Sequence, residues 1–323
     1  MNKINVGVVG AGHLGRYHAL NYAQIPDVEL IGVCDVDAER GNLVAEEAQC
    51  RYFDKVSALL DEVEAVSIAV PTDHHYQVTA PILMAGVHCL VEKPIAQNVN
   101  EAKKLIELAD ENKAVLHVGH IERFSPALNA IRHLDLSPQF IEGHRLAPFN
   151  PRGTEVAVIL DLMIHDIDVV LNLVNNKVSH IDASGVAVVS DTIDIANARI
   201  RFENGCVANL TASRISQKMM RKMRIFQKDT YISVDFGEKM SEIYSLDNPE
   251  KADMVLGEIG IGENARKITY HKPQVEDSNA LKDELKEFVR AVRGEDSRGV
   301  TGQAGADALD VAMQILEQIQ AES

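Results

Sequence analysis

A glycine-rich turn near the start of the chain, Gly10-Ala11-Gly12-His13-Leu14-Gly15, decides the fold. It follows an apolar, β-branched run at residues 4–9 that predicts a strand, and it opens a segment at residues 14–24 that predicts a helix. The first two glycines let the backbone turn tightly and approach a ligand, and the third lets the helix pack closely on a sheet. An acid, Asp35, follows about 20 residues later, at the end of the next strand-like run.

This spacing predicts a Rossmann-type dinucleotide site. The pyrophosphate of the ligand would meet free N–H groups at the positive end of the helix. Asp35 would accept hydrogen bonds from the ribose 2′-hydroxyl and would repel a 2′-phosphate, so NAD is favoured over NADP. Arg40 could hold a 2′-phosphate but is assigned to an exposed helix position. The cofactor residues predicted from this motif are Gly10, Gly12, His13, Leu14, Gly15 and Asp35.

Composition places the chain among ordinary globular proteins. Its 323 residues are 46% hydrophobic and 25% charged, and the length suggests two domains. With 32 basic and 48 acidic residues the net charge is −16, which repels nucleic acid and anionic lipid, so neither is expected as a partner. No uncharged apolar run reaches the roughly 20 residues of a membrane span. The four cysteines lack CxxC spacing, which favours reduced thiols and a cytoplasmic location.

The pattern changes after about residue 122. Up to there, strand-like runs alternate with helical segments, which is typical of a doubly wound parallel sheet. Beyond it lie a helical segment at 158–174, strand-like runs that turn at Asn204-Gly205, and helical segments at 279–293 and 302–321. Residues 247–274 show no period and are expected to form a loop. The predicted fold class is α/β, with an NAD-binding Rossmann domain at 1–122 and an α+β domain with a mostly antiparallel sheet at 123–323.

One candidate for chemistry is Glu92-Lys93-Pro94, which directly follows the strand-like run at 87–91. Ligands of a doubly wound sheet sit at the carboxyl ends of its strands, so the Lys93 ammonium could point into the cofactor crevice. A solvated Glu-Lys pair in a turn explains the same residues equally well.

A second candidate is a polar stripe on the otherwise apolar helix predicted at 158–174. Asp161, His165, Asp168 and Asn172 stand at i, i+4, i+7 and i+11, which is one face of an α-helix. A carboxylate four residues before a histidine can fix its tautomer and raise its basicity, as a general base requires. A core histidine satisfied by a neighbour is the alternative. A metal site is a weaker rival, because no HxxxH or Cys-rich set supports it, and no metal is expected.

Basic residues are the third group of candidates. His120 and Arg123 lie at the expected domain junction, where they could face substrate or tie the domains together, and Arg145 and Arg152 follow. A later stretch without acids holds Arg214, Lys218, Arg221, Lys222, Arg224 and Lys228. Guanidinium groups from these sets could hold a phosphate-bearing substrate. A solvated strand face or a subunit contact is the alternative for the later stretch.

Several of these segments together resemble the Gfo/Idh/MocA family of NAD(P)-dependent oxidoreductases over the whole chain. The matching segments are Gly10–Gly15, Cys34–Asp37, Val70–Thr72, Glu92–Pro94 and Asp161–Asp166. The resemblance implies that Lys93, Asp161 and His165 are catalytic. It also places Thr72, His75, Glu92 and Lys93 at the cofactor. It further implies an open-faced sheet in residues 123–323, with substrate on one side and a subunit interface on the other, in a homodimer or homotetramer.

Finer marks are similar to one subgroup of that family, the UDP-N-acetylglucosamine 3-dehydrogenases. These marks are Ser67–Thr72, Val118–Phe124 and Asp161–Asp168. The resemblance implies an NAD-dependent dehydrogenase that oxidises a secondary hydroxyl of a sugar, such as C3 of that nucleotide sugar. A dehydrogenase of a free polyol or sugar, such as inositol, is the alternative. A non-catalytic NAD-binding regulator is disfavoured, because Lys93 and His165 are both present.

Overall fold

The structure is a computed structural model that describes residues 3–150, 153–248, 252–261 and 264–322. The chain forms two compact units. Unit 1 runs up to Ile121 and also takes in Asn279–Asp310, whereas unit 2 comprises Glu122–Ser278 and the residues from Val311 onward. The segment 279–310, which was expected in the second domain, therefore lies in unit 1.

Unit 1 contains a six-stranded, fully parallel sheet of order β3-β2-β1-β4-β5-β6, which confirms the predicted doubly wound sheet. The strands are β1 (Ile4–Val9), β2 (Val28–Cys34), β3 (Arg51–Phe53), β4 (Ala65–Ile68), β5 (His88–Glu92) and β6 (Leu116–Gly119). The helices between them are α1 (His13–Tyr22), α2 (Ala38–Glu47), α3 (Val56–Leu60), α4 (His75–Met84) and α5 (Val99–Glu111). The strand order reverses between β1 and β4, and ligands bind at the carboxyl ends of the strands at such a point.

One of the two C-terminal helices explains why the chain returns to unit 1. The two are α8 (Ala280–Val292) and α9 (Gly302–Glu322). Leu285, Phe288 and Val289 of α8 are buried in the same core as Val6 and Tyr22. Burying each such apolar side chain stabilises by about 1.5–3 kcal/mol, so this helix completes the core of unit 1.

Unit 2 contains a nine-stranded sheet of order β14-β15-β13-β12-β11-β7-β10-β9-β8. Neighbouring strands are antiparallel except for the parallel pair β7 and β10, as the mostly antiparallel prediction requires. The strands are β7 (Phe140–Leu146), β8 (Val178–Val186), β9 (Ile195–Phe202), β10 (Val207–Ser213), β11 (Met220–Gln227), β12 (Thr230–Asp235), β13 (Met240–Leu246), β14 (Met254–Ile259) and β15 (Arg266–His271). Gly205 has a φ of 86° in the turn between β9 and β10, where Asn204-Gly205 predicted a hairpin.

The prediction of a loop at 247–274 is wrong, because β14 and β15 lie there. Most residues of β14 are exposed, since it is the edge strand of the sheet. A strand without a buried face has no alternation of apolar and polar residues, so its sequence carried no period-2 signal.

The two faces of the unit 2 sheet differ. One face is buried and faces the helices of the unit, α6 (Pro126–Ile131) and α7 (Ile164–Val174). The other carries a row of aromatic rings, in which each of the four neighbouring pairs is a direct cross-strand pair. The row consists of Phe140, Phe226, Tyr231, Tyr244 and Tyr270, with neighbouring ring centroids 4.9–5.9 Å apart. Within the described residues, no helix is both long and apolar enough to cross a membrane.

Candidate active site

The glycine turn after β1 has the geometry that a dinucleotide needs. Gly10 has a φ of 98°, and a Cβ on Gly15 would lie 1.8 Å from the Gly10 carbonyl oxygen, so only glycine fits there. A Cβ on Gly12, in contrast, would meet nothing within 4 Å. Helix α1 begins after Gly12 with no side-chain cap and no acid in its first turn. The first N–H groups of the helix are therefore available to a pyrophosphate, and the residues present fit NAD.

Asp35 is fixed at the end of β2 by the backbone. Its carboxylate accepts hydrogen bonds from the N–H groups of Ala11 and Asp37, so it is tied directly to the glycine turn. Burial raises the pKa of Asp35, but these bonds and one from Arg40 outweigh it and hold the pKa below its usual value. An ionised Asp35 is thus held where the sequence places the ribose of the cofactor.

Arg40 has a contact that its sequence position did not predict. Its side chain is 48% exposed, yet a guanidinium nitrogen lies 2.7 Å from an oxygen of Asp35. The ion pair partly neutralises the carboxylate that is expected to select NAD. The assignment of Arg40 to a merely exposed helix position is therefore incomplete.

His13, Leu14 and Thr72 remain accessible. His13 and Leu14 open α1 and are exposed, and the His13 ring packs edge-on against Tyr17 with centroids 5.0 Å apart. Thr72 opens a short 3₁₀ turn after β4. These positions border the carboxyl ends of β1 and β4, where the strand order reverses.

Lys93 directly follows β5, and the residue before it, Glu92, is held by a contact with helix α1. Glu92 is buried and accepts a hydrogen bond of 2.8 Å from Nε2 of His18, a fully buried residue on α1. Burial raises the pKa of Glu92, but the hydrogen bond from His18, the charge of His18 and the charge of Lys93 outweigh it and lower the pKa. Sequence reasoning missed His18. The available signal was a polar residue three positions after Gly15, on the side of the helix that packs against the sheet.

His75 was expected at the cofactor, but the structure shows a different environment. The ring is 1% exposed, and Nδ1 lies 2.8 Å from the Pro94 carbonyl oxygen while Nε2 lies 3.0 Å from that of Val70. Burial lowers its pKa, so at neutral pH the ring carries one N–H and donates to one carbonyl. His75 thus lies between the loops after β4 and β5, in contact with a carbonyl oxygen of each and donating to one of them.

In unit 2, the predicted polar stripe is divided. Ile159–Met163 forms a π-helix that runs into α7, so Asp161 lies on a wider turn than the α-helical spacing assumed. His165 stands in the first turn of α7. Short π-helical segments in proteins are frequently found at functional sites. The helical spacing that joined Asp161 to Asp168 and Asn172 therefore does not hold through this segment.

Arg123 binds the other two residues of the predicted stripe, Asp168 and Asn172. Its guanidinium donates to both carboxylate oxygens of Asp168, at 2.7 and 2.6 Å, and to the amide oxygen of Asn172 at 2.8 Å. Arg123 thus forms an intramolecular bidentate pair, and its substrate contact stays a prediction.

Arg145 is also committed within the protein. It is buried, forms two hydrogen bonds of 2.8 and 3.0 Å with Asp166, and forms a third of 2.7 Å with Glu122. Burial alone would lower its pKa, but both carboxylates raise it above its ordinary value. Arg145 therefore fixes α7 on β7, and the substrate contact expected from the sequence stays a prediction. His120 is buried, and Arg152 lies outside the described residues.

The basic stretch 214–228 does not act as one patch. Arg214 is buried and donates to the carbonyl oxygens of Gly153 and Val156, in the segment that leads to the π-helix. Lys222 pairs with Asp235, and Arg224 pairs with Glu142. Arg221 is exposed, and its guanidinium has no hydrogen bond or ion pair with any residue that the structure describes. Across those same residues, no group of three or more His, Cys, Asp or Glu side chains could hold a metal ion.

The sheet order, the glycine turn and Asp35 define a dinucleotide-binding Rossmann protein. Residues 4–120 match the family model of the Gfo/Idh/MocA oxidoreductases, described as an NAD-binding Rossmann fold, and residues 139–232 match that family's C-terminal domain. The chain belongs to the Gfo/Idh/MocA family of oxidoreductases.

Individual relatives span the whole chain. The UDP-N-acetylglucosamine 3-dehydrogenase of Acidithiobacillus ferrooxidans is 41% identical over 99% of both sequences, and its structure superposes with a TM-score of 0.89 over 99% of both chains. The myo-inositol 2-dehydrogenase of Thermotoga maritima is 25% identical over 95% of this chain and 93% of its own length. A levoglucosan dehydrogenase in complex with NADH shares the fold at 19% identity, with a TM-score of 0.83 over 100% of this chain and 98% of its own.

Proposed function

We propose that this protein is an NAD-dependent dehydrogenase that oxidises the C3 hydroxyl of a nucleotide sugar, UDP-N-acetylglucosamine. The observation that carries this proposal is the 41% identity over 99% of both chains with an enzyme of that name. Lys93, Asp161 and His165, the residues that the family resemblance marks as catalytic, are all present.

The proposed reaction converts a secondary alcohol into a ketone. The glycine turn and Asp35 would hold NAD⁺, which when bound would supply the redox chemistry as the acceptor of the C–H hydrogen as hydride. His165, oriented by Asp161, accepts the O–H proton as general base. Lys93 donates a hydrogen bond to the same oxygen and stabilises the negative charge that develops on it.

Several features support NAD as the cofactor. The uncapped start of α1, the open space at Gly12 and the ionised Asp35 all suit an unphosphorylated ribose and a pyrophosphate. A free polyol or sugar, such as inositol, is the second candidate substrate, supported by the relative from Thermotoga maritima at 25% identity.

A substrate panel tests the proposal. Purified protein with NAD⁺ is given UDP-N-acetylglucosamine, UDP-glucose, myo-inositol and glucose, and NADH is followed by absorbance. We expect turnover of the first compound with a kcat/KM at least about 100-fold above inositol, since a site that binds a diphosphate discriminates strongly against its loss. Turnover of inositol alone would favour the second candidate, and no turnover would favour a regulator.

Lys93 is tested by substitution. Lys93→Met removes the proposed donor to the developing oxyanion and should lower kcat by about 100- to 1,000-fold while NADH binding persists. Lys103→Met, an exposed position on α5, is the matched control and should retain the wild-type kcat. An unchanged kcat in Lys93→Met would remove Lys93 from the mechanism.

We also propose a homodimer or homotetramer joined through the open face of the unit 2 sheet. The row of five aromatic rings lies there, and Phe226 is exposed. The same face carries both signs of charge, as in the pair between Arg224 and Glu142. A surface that contacts a second copy of itself across a twofold axis is expected to carry both signs of charge, because charges of one sign would repel each other across the interface.

A cytoplasmic location is part of the proposal. All four cysteines are free thiols, and Cys34, Cys89 and Cys206 are buried. Burial raises the pKa of the Cys34 thiol to about 11, which makes it unreactive. Such cysteines are usual in proteins of a reducing compartment.

A further inference from the structure

We propose that two buried histidines, His18 and His75, are positioning residues that hold the Glu92-Lys93-Pro94 loop from both sides and so fix the direction of the Lys93 side chain. The inference rests on the function proposed for Lys93. Neither histidine acts on the reacting atoms directly: His18 acts through Glu92, and His75 acts through the backbone.

We call the contacts of His18 and His75 with the Glu92-Lys93-Pro94 loop the clamp. Its first side is the pair of His18 and Glu92. His18 is fully buried on α1, and its Nε2 lies 2.8 Å from Glu92 Oε1. Within the described residues its Nδ1 has no hydrogen-bond partner. A proton on Nε2 satisfies the contact with Glu92, because a carboxylate oxygen can only accept a hydrogen bond. His18 therefore holds the Glu92 carboxylate through one donated hydrogen bond.

Glu92 connects His18 to the backbone of the loop. Its other oxygen, Oε2, accepts a hydrogen bond of 3.3 Å from the N–H of Lys93. The carboxylate also lies against the next strand, since a Cβ on Gly119 would be 3.1 Å from its atoms. Between His18, Gly119 and the Lys93 amide, the carboxylate has little room to rotate.

The second side is His75, which begins α4. Its Nδ1 lies 2.8 Å from the Pro94 carbonyl oxygen, directly after Lys93, and its Nε2 lies 3.0 Å from the Val70 carbonyl oxygen in the loop after the neighbouring strand β4. The residues on both sides of Lys93 thus contact buried rings on two different helices, Glu92 through its carboxylate and Pro94 through its carbonyl oxygen. A side chain that starts from a fixed backbone loses less freedom when it engages a ligand, which is the basis of catalytic positioning.

The test compares two replacements of His18. His18→Gln keeps an N–H that can reach Glu92, whereas His18→Leu keeps the approximate volume and removes the donor. We expect His18→Leu to lower kcat by about 10- to 100-fold, since a misplacement of about 1 Å can cost that much, with the Kd for NADH within about twofold of wild type. His18→Gln should recover most of the loss, and His75→Leu should behave like His18→Leu.

Tyr22→Phe is the matched control. It lies one turn further along α1, is fully buried, and loses a single hydrogen bond of 2.8 Å between Tyr22 and Ser67. It should lower thermal stability to a similar extent and leave kcat unchanged. If His18→Leu and His75→Leu fold and also leave kcat unchanged, the clamp is refuted.

A second readout does not depend on turnover. Hydrogen–deuterium exchange of the peptide covering residues 88–98 should quicken by about tenfold or more in His18→Leu, and should remain at the wild-type rate in Tyr22→Phe. Equal exchange in these two variants would overturn the clamp even in an enzyme whose substrate is still unknown. A normal kcat in Lys93→Met, in contrast, would overturn the role of Lys93 and leave the exchange result as the measure of the clamp.

Discussion

Asp35 and Arg40 form an ion pair at the position that is expected to read the ribose of the cofactor. A bare carboxylate repels a 2′-phosphate, but this one has a guanidinium 2.7 Å away that could turn toward such a phosphate instead. The two side chains are therefore expected to act in opposite directions on cofactor choice.

Single substitutions separate these effects. Asp35→Ala should weaken NAD and lower the ratio of kcat/KM for NAD over NADP by about 10-fold or more, whereas Arg40→Ala should raise that ratio by about three- to tenfold. Steady-state kinetics with both cofactors measure the ratios. A shift of both variants in the same direction would contradict the opposed roles of the pair.

Strand β11 shows how one element divides its basic residues between different tasks. Arg224 lies on the open face, whereas Arg221 lies directly opposite Arg145 on β7, on the face toward α7. Arg145 is bonded to Asp166, the neighbour of His165. The Cβ atoms of residues directly opposite each other on neighbouring strands are about 5 Å apart, so the Arg221 side chain begins next to that of Arg145. Burial raises the pKa of Asp166 above its ordinary value, and the charge of Arg221 acts in the opposite direction.

Arg221 is therefore the residue of the basic stretch that we expect to meet the diphosphate of a nucleotide sugar. Arg221→Met should raise the KM for UDP-N-acetylglucosamine and the Kd for UDP by about 10- to 100-fold, the loss of a charged hydrogen bond, with kcat changed less. Titration calorimetry with UDP and steady-state kinetics measure both constants. Lys228→Met, one residue past the other end of the same strand, removes the same charge and should leave both constants unchanged. An effect of equal size in both variants would mean that only overall charge matters.

At the scale of the whole molecule, the proposed assembly depends on the aromatic row of the unit 2 sheet. Tyr231→Asp places a charge at the centre of that row, between Phe226 and Tyr244. Burying an unpaired carboxylate against a second copy is costly, so the variant should sediment as a lighter species than wild type. Leu43→Asp, an exposed apolar position on α2 of unit 1, is the control and should keep the wild-type mass. A monomeric wild type, or an unchanged mass in Tyr231→Asp, would refute this interface.

The sequence by itself determined the features that depend on local spacing. The glycine turn, the alternation of strands and helices in the first 120 residues and the turn at Asn204-Gly205 all follow from short-range backbone rules, and the structure has each of them. The net charge of −16 likewise led to the expectation that neither nucleic acid nor anionic lipid is a partner.

Tertiary structure alone decided the partners of the polar side chains. His18 and Glu92 are 74 residues apart, Arg145 and Asp166 are 21 apart, and Arg123 and Asp168 are 45 apart. A buried charge must find a partner, but the sequence does not specify which one, because the choice depends on how strands and helices pack. For that reason the sequence predicted substrate contacts for Arg123 and Arg145 but not the carboxylates of their own chain with which the fold pairs them, and His18 showed no role until the fold brought it to Glu92.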